Sequence, residues 1–234
     1  MDRITCINQA RTEWNLIEQV LKTYQNVGLW GGSSLGKTYT PLEVREGDRF
    51  PMTPDTAAAE LRGHWMPGPG GFVWHYGPVT HAMVTGSHCV LDEIDLAGGD
   101  ALSFLLAACD TTPQITLPSN ETITPAQGYR ITVTSNRPPR VLSTAMRDRF
   151  IWINVIWAHP NVLQNISYRF RNAAERDLFT PRESDEPNRL SVRDWMRLSQ
   201  LTDQTSFQTA IWAVVGPERA EDFALSLNLG HVND

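Results

Sequence analysis

Gly31-Gly32-Ser33-Ser34-Leu35-Gly36-Lys37-Thr38 fits the pattern G-x-x-x-x-G-K-[ST] and follows an apolar run that ends at Trp30. A phosphate-binding loop needs successive backbone N–H groups that point inward, and a loop rich in glycine and other small residues allows that backbone. We expect the loop to open a helix, with Lys37 reaching phosphate oxygens and the Thr38 hydroxyl ligating a metal ion. Taken alone, the stretch is also compatible with an ordinary glycine- and serine-rich turn.

An acidic motif, Val90-Leu91-Asp92-Glu93-Ile94-Asp95, begins 53 residues after Lys37. Cys89-Val90-Leu91 is a short apolar run typical of a buried parallel strand, and it places Asp92 and Glu93 at the carboxyl end of that strand. Asp92 is the candidate metal residue together with Thr38, and Glu93 is placed to polarise an attacking water as a general base. A solvated acidic turn is the alternative, but the glycine-rich loop upstream favours a nucleoside triphosphate site.

The composition limits the class of protein. With 234 residues, the chain is long enough for one large α/β domain or for a smaller core with an appendage. Its net charge of −6 argues against strong non-specific binding of nucleic acids, whose phosphates an acidic surface repels. The three cysteines lack the paired spacing of a disulfide framework or a thiolate metal site. No run is long and apolar enough to span a bilayer, and the N-terminus lacks a signal-peptide pattern, so we expect a soluble, cytoplasmic protein without a membrane partner.

The chain alternates strand-like and helical segments. Residues 7–26 have apolar side chains near helical spacing, which predicts an amphipathic helix. Short runs that predict strands then recur at Val27–Trp30, Arg49–Met52, His88–Leu91, Tyr129–Ser135 and Ile151–Ile156. This alternation predicts an α/β fold with a parallel sheet covered by helices. Pro181–Pro187 is charged and bounded by prolines, which is typical of a connector.

The order of these elements resembles the AAA+ ATPases, and within them the MoxR-like and dynein-related branch. The stretches that carry the resemblance are a GP pair at Gly77-Pro78, a Walker B form at Asp92-Glu93-Ile94-Asp95-Leu96-Ala97, the helix Leu102–Cys109 after it, a sensor 1 segment at Thr134-Ser135-Asn136-Arg137-Pro138, and an L-x-x-A-x-x-D-R-F motif from Leu142 to Phe150. The resemblance implies a P-loop NTPase fold, in which a three-layer parallel-sheet core carries a small C-terminal helical lid. It also implies ATP and Mg²⁺ as cofactors, with the loop of residues 31–38 at the phosphates and with Thr38 and Asp92 at the metal.

The resemblance divides the chain into a core of residues 1–158 and a helical lid of residues 159–234. Within the core, about residues 63–79 resemble the helix-2 insert of this branch, and about residues 113–125 resemble the hairpin before the sensor 1 strand. In rings of this branch both elements face the pore or one ring surface, so the aromatic residues of the insert are candidates to grip a substrate. Those residues are Trp65, Phe72, Trp74 and Tyr76. Their alternate spacing is also compatible with one packed face of a strand.

The resemblance implies further site residues one at a time. Asn136 would orient the attacking water or the γ-phosphate with its side-chain amide, unless it is a buried turn asparagine. Arg149 would be the arginine finger that stabilises charge on the γ-phosphoryl group of a neighbouring subunit, with Arg147 as the second choice. Arg193, in a short match to the sensor 2 helix, would contact the γ-phosphate from the lid. For each arginine the alternative is an ordinary place on the protein surface.

A finger that acts in trans implies a homo-oligomeric ring, most often a hexamer. These expectations together predict a Mg²⁺-dependent ATPase ring that remodels or assembles a protein client. Two alternatives remain open. One is a nucleic-acid motor, because hairpins before sensor 1 also occur in helicases. The other is a nucleotide-gated ring scaffold that hydrolyses ATP slowly.

Overall fold

The structure, a computed structural model, describes residues 3–179 and 190–227. The connector predicted at Pro181–Pro187 lies outside the described residues. The described residues divide into two compact units, a larger one of residues 14–32 and 36–156 and a smaller one of residues 3–13, 33–35, 157–179 and 190–227. The larger unit therefore contains the glycine-rich loop except for its tip.

A parallel sheet forms the centre of the larger unit. The described strands, in chain order, are β1 (Asn26–Gly31), β2 (Gly47–Pro51), β3 (Gly63–Gly68), β4 (Gly71–Tyr76), β5 (His88–Asp92), β6 (Ile115–Thr116), β7 (Thr122–Ile123), β8 (Arg130–Ser135) and β9 (Ile151–Val155). Five of them form one sheet in the order β2-β5-β8-β1-β9, and every neighbouring pair in it is parallel. The other strands form two antiparallel hairpins, β3-β4 and β6-β7. The predicted α/β fold with a parallel sheet is confirmed.

Helices connect and follow the strands. Those described are α1 (Arg3–Thr23), α2 (Tyr39–Val44), α3 (Ala58–Arg62), α4 (Pro78–Thr85), α5 (Gly99–Ala108), α6 (Thr144–Arg147), α7 (Tyr168–Leu178), α8 (Val192–Thr202), α9 (Phe207–Val215) and α10 (Ala220–Ser226). The first helix ends at Thr23 rather than at residue 26, because Asn26 already pairs with Ile131 as the first residue of β1. Within residues 3–179 and 190–227, no helix is both long enough and apolar enough to cross a membrane.

The core of the larger unit lies between the central strands and helices α3, α4 and α5. Leu91 of β5 and Val133 of β8 are fully buried, and Met83 of α4 and Leu105 of α5 belong to the same cluster. The central strands of a parallel sheet are covered on both faces, so β5 is a continuous buried run. Full burial of such side chains contributes roughly 1.5–3 kcal/mol each, which makes the strands a firm platform for the residues at their ends.

The strand register brings the carboxyl ends of three neighbouring strands together. Trp30 of β1 pairs with Ser135 of β8, and Leu91 of β5 pairs with Val133 of β8. Because β8 lies between β1 and β5, Asn136 at its end stands between the glycine-rich loop and the acidic end of β5. Ligand sites in open α/β sheets lie beyond the carboxyl ends of the strands. The topology therefore collects the sequence motifs at one edge of the sheet.

The helix after the loop is short. It has six residues, Tyr39–Val44, with Pro41 in its first turn, where proline is tolerated because the N–H groups have no helical partner. The helix ends at Val44, and the backbone N–H of the next residue, Arg45, donates to the Pro41 carbonyl. With fewer than two turns, its macrodipole is small. Side chains such as Lys37 must therefore supply most of the positive charge for a bound phosphate.

The insert between β2 and α4 consists of α3 and the hairpin β3-β4. Trp65 and Trp74 pair across this hairpin edge to face, with ring centroids 5.3 Å apart. Trp74 also packs against the core, whereas Phe72 is 72% exposed and Trp65 and Tyr76 are exposed as well. The four aromatic residues therefore do not form a single packed face. Trp74 joins the hairpin to the core, and the other three face solvent.

The smaller unit contains helices α7 to α10, held by aromatic contacts. Phe170 stacks on Phe207 with ring centroids 5.9 Å apart, and its ring lies 6.4 Å from that of Trp195. Ser191 caps α8, since its hydroxyl accepts from the backbone N–H of Asp194 at 3.2 Å. The cap fixes where this helix begins.

Candidate nucleotide-binding site

The glycine-rich loop leaves β1 at Gly31 and reaches α2 after Thr38. Gly31 has a φ of 149°, and a Cβ at this position would lie 2.3 Å from the carbonyl oxygen of Val155 on β9. Gly36 has a φ of 107°, in the region that favours glycine. Two of the motif's glycines are therefore required by the path of the backbone itself.

Lys37 lies inside the loop, with 6% of its surface exposed. Its ammonium group donates to the carbonyl oxygens of Gly31 at 3.0 Å and Gly32 at 2.6 Å, and to Asn136 Oδ1 at 3.0 Å. These contacts use the three donors of the ammonium group. Burial lowers the pKa of Lys37, although nearby carboxylates oppose that shift. The loop thus holds a cation whose carbonyl partners phosphate oxygens can replace.

Asp92, the last residue of β5, uses both of its carboxylate oxygens. Oδ1 accepts from the Thr38 hydroxyl at 2.7 Å and the Thr134 hydroxyl at 2.5 Å, and Oδ2 accepts from Arg49 Nη2 at 2.5 Å. Burial alone would raise the pKa of Asp92, but these hydrogen bonds and the Arg49 charge outweigh it and hold the pKa below its ordinary value. Asp92 is therefore an anion at neutral pH. Because Thr38 donates its proton to Asp92, its oxygen lone pairs are left for a cation.

Glu93 follows β5 with a left-handed backbone, at φ 61° and ψ 48°. In a residue other than glycine this conformation costs roughly 1 kcal/mol, and such strain is concentrated at functional sites. The Glu93 N–H donates to the Thr134 hydroxyl at 3.1 Å, and Glu93 Oε1 accepts from Asn136 Nδ2 at 3.1 Å. Asn136 thus uses both polar atoms of its side chain, accepting from Lys37 and donating to Glu93. This one amide joins the candidate phosphate cation to the candidate base.

Asp95 supports Asn136 through the backbone. It lies in the short 3-10 helix after Glu93, and its side chain is almost fully buried. Its Oδ1 accepts from the Asn136 backbone N–H at 3.3 Å, and its Oδ2 lies 3.8 Å from Arg137 Nε. The position of Asn136 is therefore held by its backbone and its side chain together.

A family model matches the central part of the chain. Residues 44–150 match the family model of the AAA domain, dynein-related subfamily. The resemblance to the AAA+ ATPases is confirmed. The match covers Asp92, Glu93 and Asn136, and the glycine-rich loop lies just before the matched residues.

Two curated relatives of the chain are Midasin proteins. Midasin of Giardia intestinalis is 27% identical over 157 residues, which are 62% of this chain and 3% of that protein. Midasin of Dictyostelium discoideum is 33% identical over 110 residues, which are 42% of this chain and 2% of that protein. The chain therefore spans only a small fraction of the length of these relatives.

A solved structure extends the likeness to the fold of nearly the whole chain. The crystal structure of NtrX from Brucella abortus has a TM-score of 0.60 at 17% identity, over 95% of this chain and 58% of that chain. NtrX in complex with ADP gives a TM-score of 0.57 at 16% identity, over 85% of this chain and 50% of that chain. At this level of identity the likeness concerns the fold alone.

Arg149 is held by contacts within its own chain. Its Nε donates to the Leu106 carbonyl at 2.7 Å, its Nη1 to the Ala145 carbonyl at 2.6 Å, and its Nη2 to the Asp110 carboxylate at 3.1 Å. Cationic side chains near a helix C-terminus satisfy its last carbonyls and interact well with its dipole. The guanidinium therefore ties α6 to the end of α5.

Replacing Arg149 with alanine is expected to lower the Tm by roughly 3–8 °C, because hydrogen bonds to Leu106, Ala145 and Asp110 are lost at a cost of about 1–3 kcal/mol. Arg147→Ala is the matched control. Arg147 donates to the Thr144 hydroxyl of its own short helix, so a shift below about 2 °C is expected. Thermal melts followed by circular dichroism measure both variants. Equal shifts would contradict the structural role of Arg149.

Arg193 lies in the first turn of α8, in the smaller unit, and its side chain is exposed. An exposed position agrees with a residue that reaches toward a ligand and equally with a surface arginine. Its contact with the γ-phosphate stays a prediction.

The structure adds three residues to the site to which the sequence had assigned no role. They are Arg49, Thr134 and Asp95. Thr134 offered only a weak signal, because it is one of three deeply buried polar residues of β8, together with Thr132 and Ser135. Arg49 offered none, because its partner Asp92 is 43 residues away on the neighbouring strand. Contacts of this kind depend on strand order, which no local pattern encodes.

Proposed function

We propose that this chain hydrolyses ATP with Mg²⁺ at the site formed by Lys37, Thr38, Asp92, Glu93 and Asn136. The observation that carries the proposal is the Asn136 side chain, which accepts from Lys37 and donates to Glu93. A cation for the phosphates and a carboxylate for the water are thereby linked through one amide. Phosphoryl transfer is catalysed mainly by such positioning and charge stabilisation. The ADP complex of NtrX, whose fold the chain shares, supports a nucleotide as the ligand.

Thr38 and Asp92 would hold the metal. Both suit Mg²⁺, a hard cation that prefers oxygen ligands and often binds one or two carboxylates together with substrate phosphates. The Asp92 carboxylate is ionised, and the Thr38 hydroxyl oxygen is oriented by its bond to Asp92. When bound, Mg²⁺ would neutralise charge on the β- and γ-phosphate oxygens.

Glu93 would act as the general base toward the attacking water. Asn136 orients one oxygen of its carboxylate, and Thr134 accepts from its backbone N–H. A carboxylate held in this way needs little rearrangement before it takes a proton. Lys37 would meanwhile exchange its carbonyl partners for phosphate oxygens.

We also propose that the chain acts in a homo-oligomeric ring, as a hexamer, on a protein client. The side chains of Arg149 and Arg147 donate to residues of α5, α6 and the turn after α5, and none of these partners belongs to the nucleotide site. An arginine finger from this region would therefore serve the site of another copy. The exposed aromatic residues of the insert, Trp65, Phe72 and Tyr76, are candidates for the contact with the client.

Mixed assemblies test the shared site. Glu93→Gln subunits and Arg149→Ala subunits are each expected to be inactive alone and to recover ATP turnover when mixed. In a random equal mixture, about a quarter of the interfaces combine an intact Glu93 with an intact arginine from the neighbour. The same mixture with Arg147→Ala identifies which arginine acts. Size-exclusion chromatography with light scattering checks assembly before turnover is measured.

The matched control is a mixture of Glu93→Gln with Lys37→Ala subunits. Both changes fall in the site of one subunit, so mixing cannot restore a complete site and no recovery is expected. Recovery in this control would show that subunits with intact arginines also complement each other, so the recovery could not be assigned to a finger. The absence of recovery in both arginine mixtures despite intact assembly would contradict a finger that acts in trans.

Two further experimental results would favour a function other than action on a protein client. Turnover that rises with single- or double-stranded nucleic acid and falls with salt would favour a nucleic-acid motor, which the net charge of −6 disfavours. Assembly that depends on ATP while turnover stays close to zero would favour a scaffold.

A further inference from the structure

Arg49 contacts the same carboxylate that would bind the metal. Its Nη2 donates to Asp92 Oδ2 at 2.5 Å, while Thr38 and Thr134 donate to the other oxygen, Oδ1. Asp92 therefore offers one oxygen to neutral hydroxyls and the other to a full positive charge. A cation that binds at Oδ2 meets this guanidinium first.

The two partners of this ion pair differ in their exposure. The Asp92 side chain is 10% exposed, whereas the Arg49 side chain is 54% exposed. Arg49 lies on β2, at the edge of the sheet, and pairs with Val90 of β5. Because the guanidinium is already half in water, little free energy is needed to move it from Asp92 fully into solvent. The carboxylate, in contrast, is fixed by the fold.

The ionisable groups of the site balance in charge without a bound metal. The carboxylates are Asp92, Glu93 and Asp95, and the cations that face them are Lys37, Arg49 and Arg137. Since three negative charges face three positive ones, a divalent cation adds two positive charges to a neutral cluster. The bound cation and the positive side chains would repel each other appreciably in a partly buried site.

We propose that Arg49 is the resident counter-ion of Asp92 and would compete with Mg²⁺ for this carboxylate, so that metal binding would require Arg49 to leave Asp92. The inference rests on the proposed function, because it concerns the metal of the same site. In the metal-free state the Arg49–Asp92 pair stabilises the site, and the exchange of Arg49 for the metal makes the site sensitive to the concentration of divalent cations. Arg49 is in this sense a positioning residue that sets metal affinity.

Removing the charge of Arg49 tests the competition directly. Arg49→Gln is expected to bind Mn²⁺, used as a paramagnetic substitute for Mg²⁺, about 5- to 30-fold more tightly in the absence of nucleotide. Electron paramagnetic resonance of free Mn²⁺ measures that affinity. The Mg²⁺ concentration for half-maximal binding of N-methylanthraniloyl-ADP, read by fluorescence, is expected to fall by a similar factor. Arg49→Met repeats the comparison with an apolar side chain if the glutamine variant does not fold.

The matched control is Arg137→Gln, which removes the same charge from the same cluster. Arg137 lies 3.8 Å from Asp95 and has no contact with Asp92 among the hydrogen bonds and ion pairs of the described residues. Its Mn²⁺ affinity is expected to change by about twofold or less. Arg49→Lys keeps the charge and is expected to stay within about twofold of the unmodified chain. Equal increases in Mn²⁺ affinity in Arg49→Gln and Arg137→Gln would indicate a general electrostatic effect and contradict the competition. Unchanged or weaker Mn²⁺ binding in Arg49→Gln would also overturn the competition.

The test separates this inference from the proposed hydrolysis. Mn²⁺ binding without nucleotide does not require catalysis, so tighter binding by Arg49→Gln would stand even if the chain turned over no ATP. If turnover depends on Glu93 but the metal affinity of Arg49→Gln is unaltered, the inference is wrong and the proposed function still holds.

Discussion

Replacing Glu93 with glutamine is expected to reduce ATP turnover about 10²–10⁴-fold, the contribution typical of a positioned general base. Glutamine keeps the shape of the side chain and an oxygen that accepts from Asn136 Nδ2, but it cannot take a proton from water. Lys37 and Thr38 keep their places in this variant. Nucleotide affinity is therefore expected to stay within about twofold of that of the unmodified chain.

Phosphate release measures the turnover of this variant, and titration with a fluorescent nucleotide measures its affinity. Glu218→Gln is the control, because Glu218 is an exposed glutamate of the smaller unit, and its turnover is expected to be unchanged. Near-normal turnover in Glu93→Gln would assign the base to another residue. Loss of nucleotide binding in this variant would instead indicate that Glu93 supports the loop.

Replacing Lys37 with alanine is expected to weaken nucleotide binding at least about 30-fold, since truncation of one partner of a buried charged contact costs about 2–5 kcal/mol. The variant removes the buried cation of the loop and leaves Asn136 Oδ1 and the carbonyls of Gly31 and Gly32 without this donor. Turnover at saturating ATP is expected to fall as well, because the cation also stabilises charge on the transferred phosphoryl group.

Isothermal titration calorimetry with ADP and Mg²⁺ measures the affinity, and circular dichroism confirms that the variant is folded. Lys22→Ala is a matched control, because Lys22 is the only other lysine in the sequence and forms an exposed pair with Glu18 at 3.5 Å. Its nucleotide affinity is expected to be unchanged. Affinity in Lys37→Ala that equals that of Lys22→Ala would show that the loop does not bind phosphate.

The sheet could be predicted from local patterns. Val27–Trp30 and His88–Leu91 lie within β1 and β5, and the other predicted runs overlap the remaining strands of the sheet. Buried parallel strands are rich in apolar residues, and this enrichment leaves a clear signal in short runs. The ends of helices were less predictable, as the first helix shows, because capping contacts and strand pairing compete for the same few residues.

The candidate site was partly predictable for a related reason. Lys37, Thr38, Asp92, Glu93 and Asn136 each stand directly after a strand or in the loop that follows one, and the ends of neighbouring parallel strands meet at one edge. What the sequence could not specify was which of them touch. Lys37 and Asn136 are 99 residues apart, and their hydrogen bond exists only because β8 lies next to β1.

The amino-acid sequence therefore established the glycine-rich backbone of the loop, the apolar strands and the polar residues at their ends, because each depends on interactions between near neighbours. The folded arrangement alone set the partners of the side chains. It gave Asp92 the counter-ion Arg49, held Arg149 between α5 and α6, and exposed Phe72 while packing Trp74 on the core. Such contacts join residues that are remote in the chain, so they depend on strand order and on how helices cover the sheet.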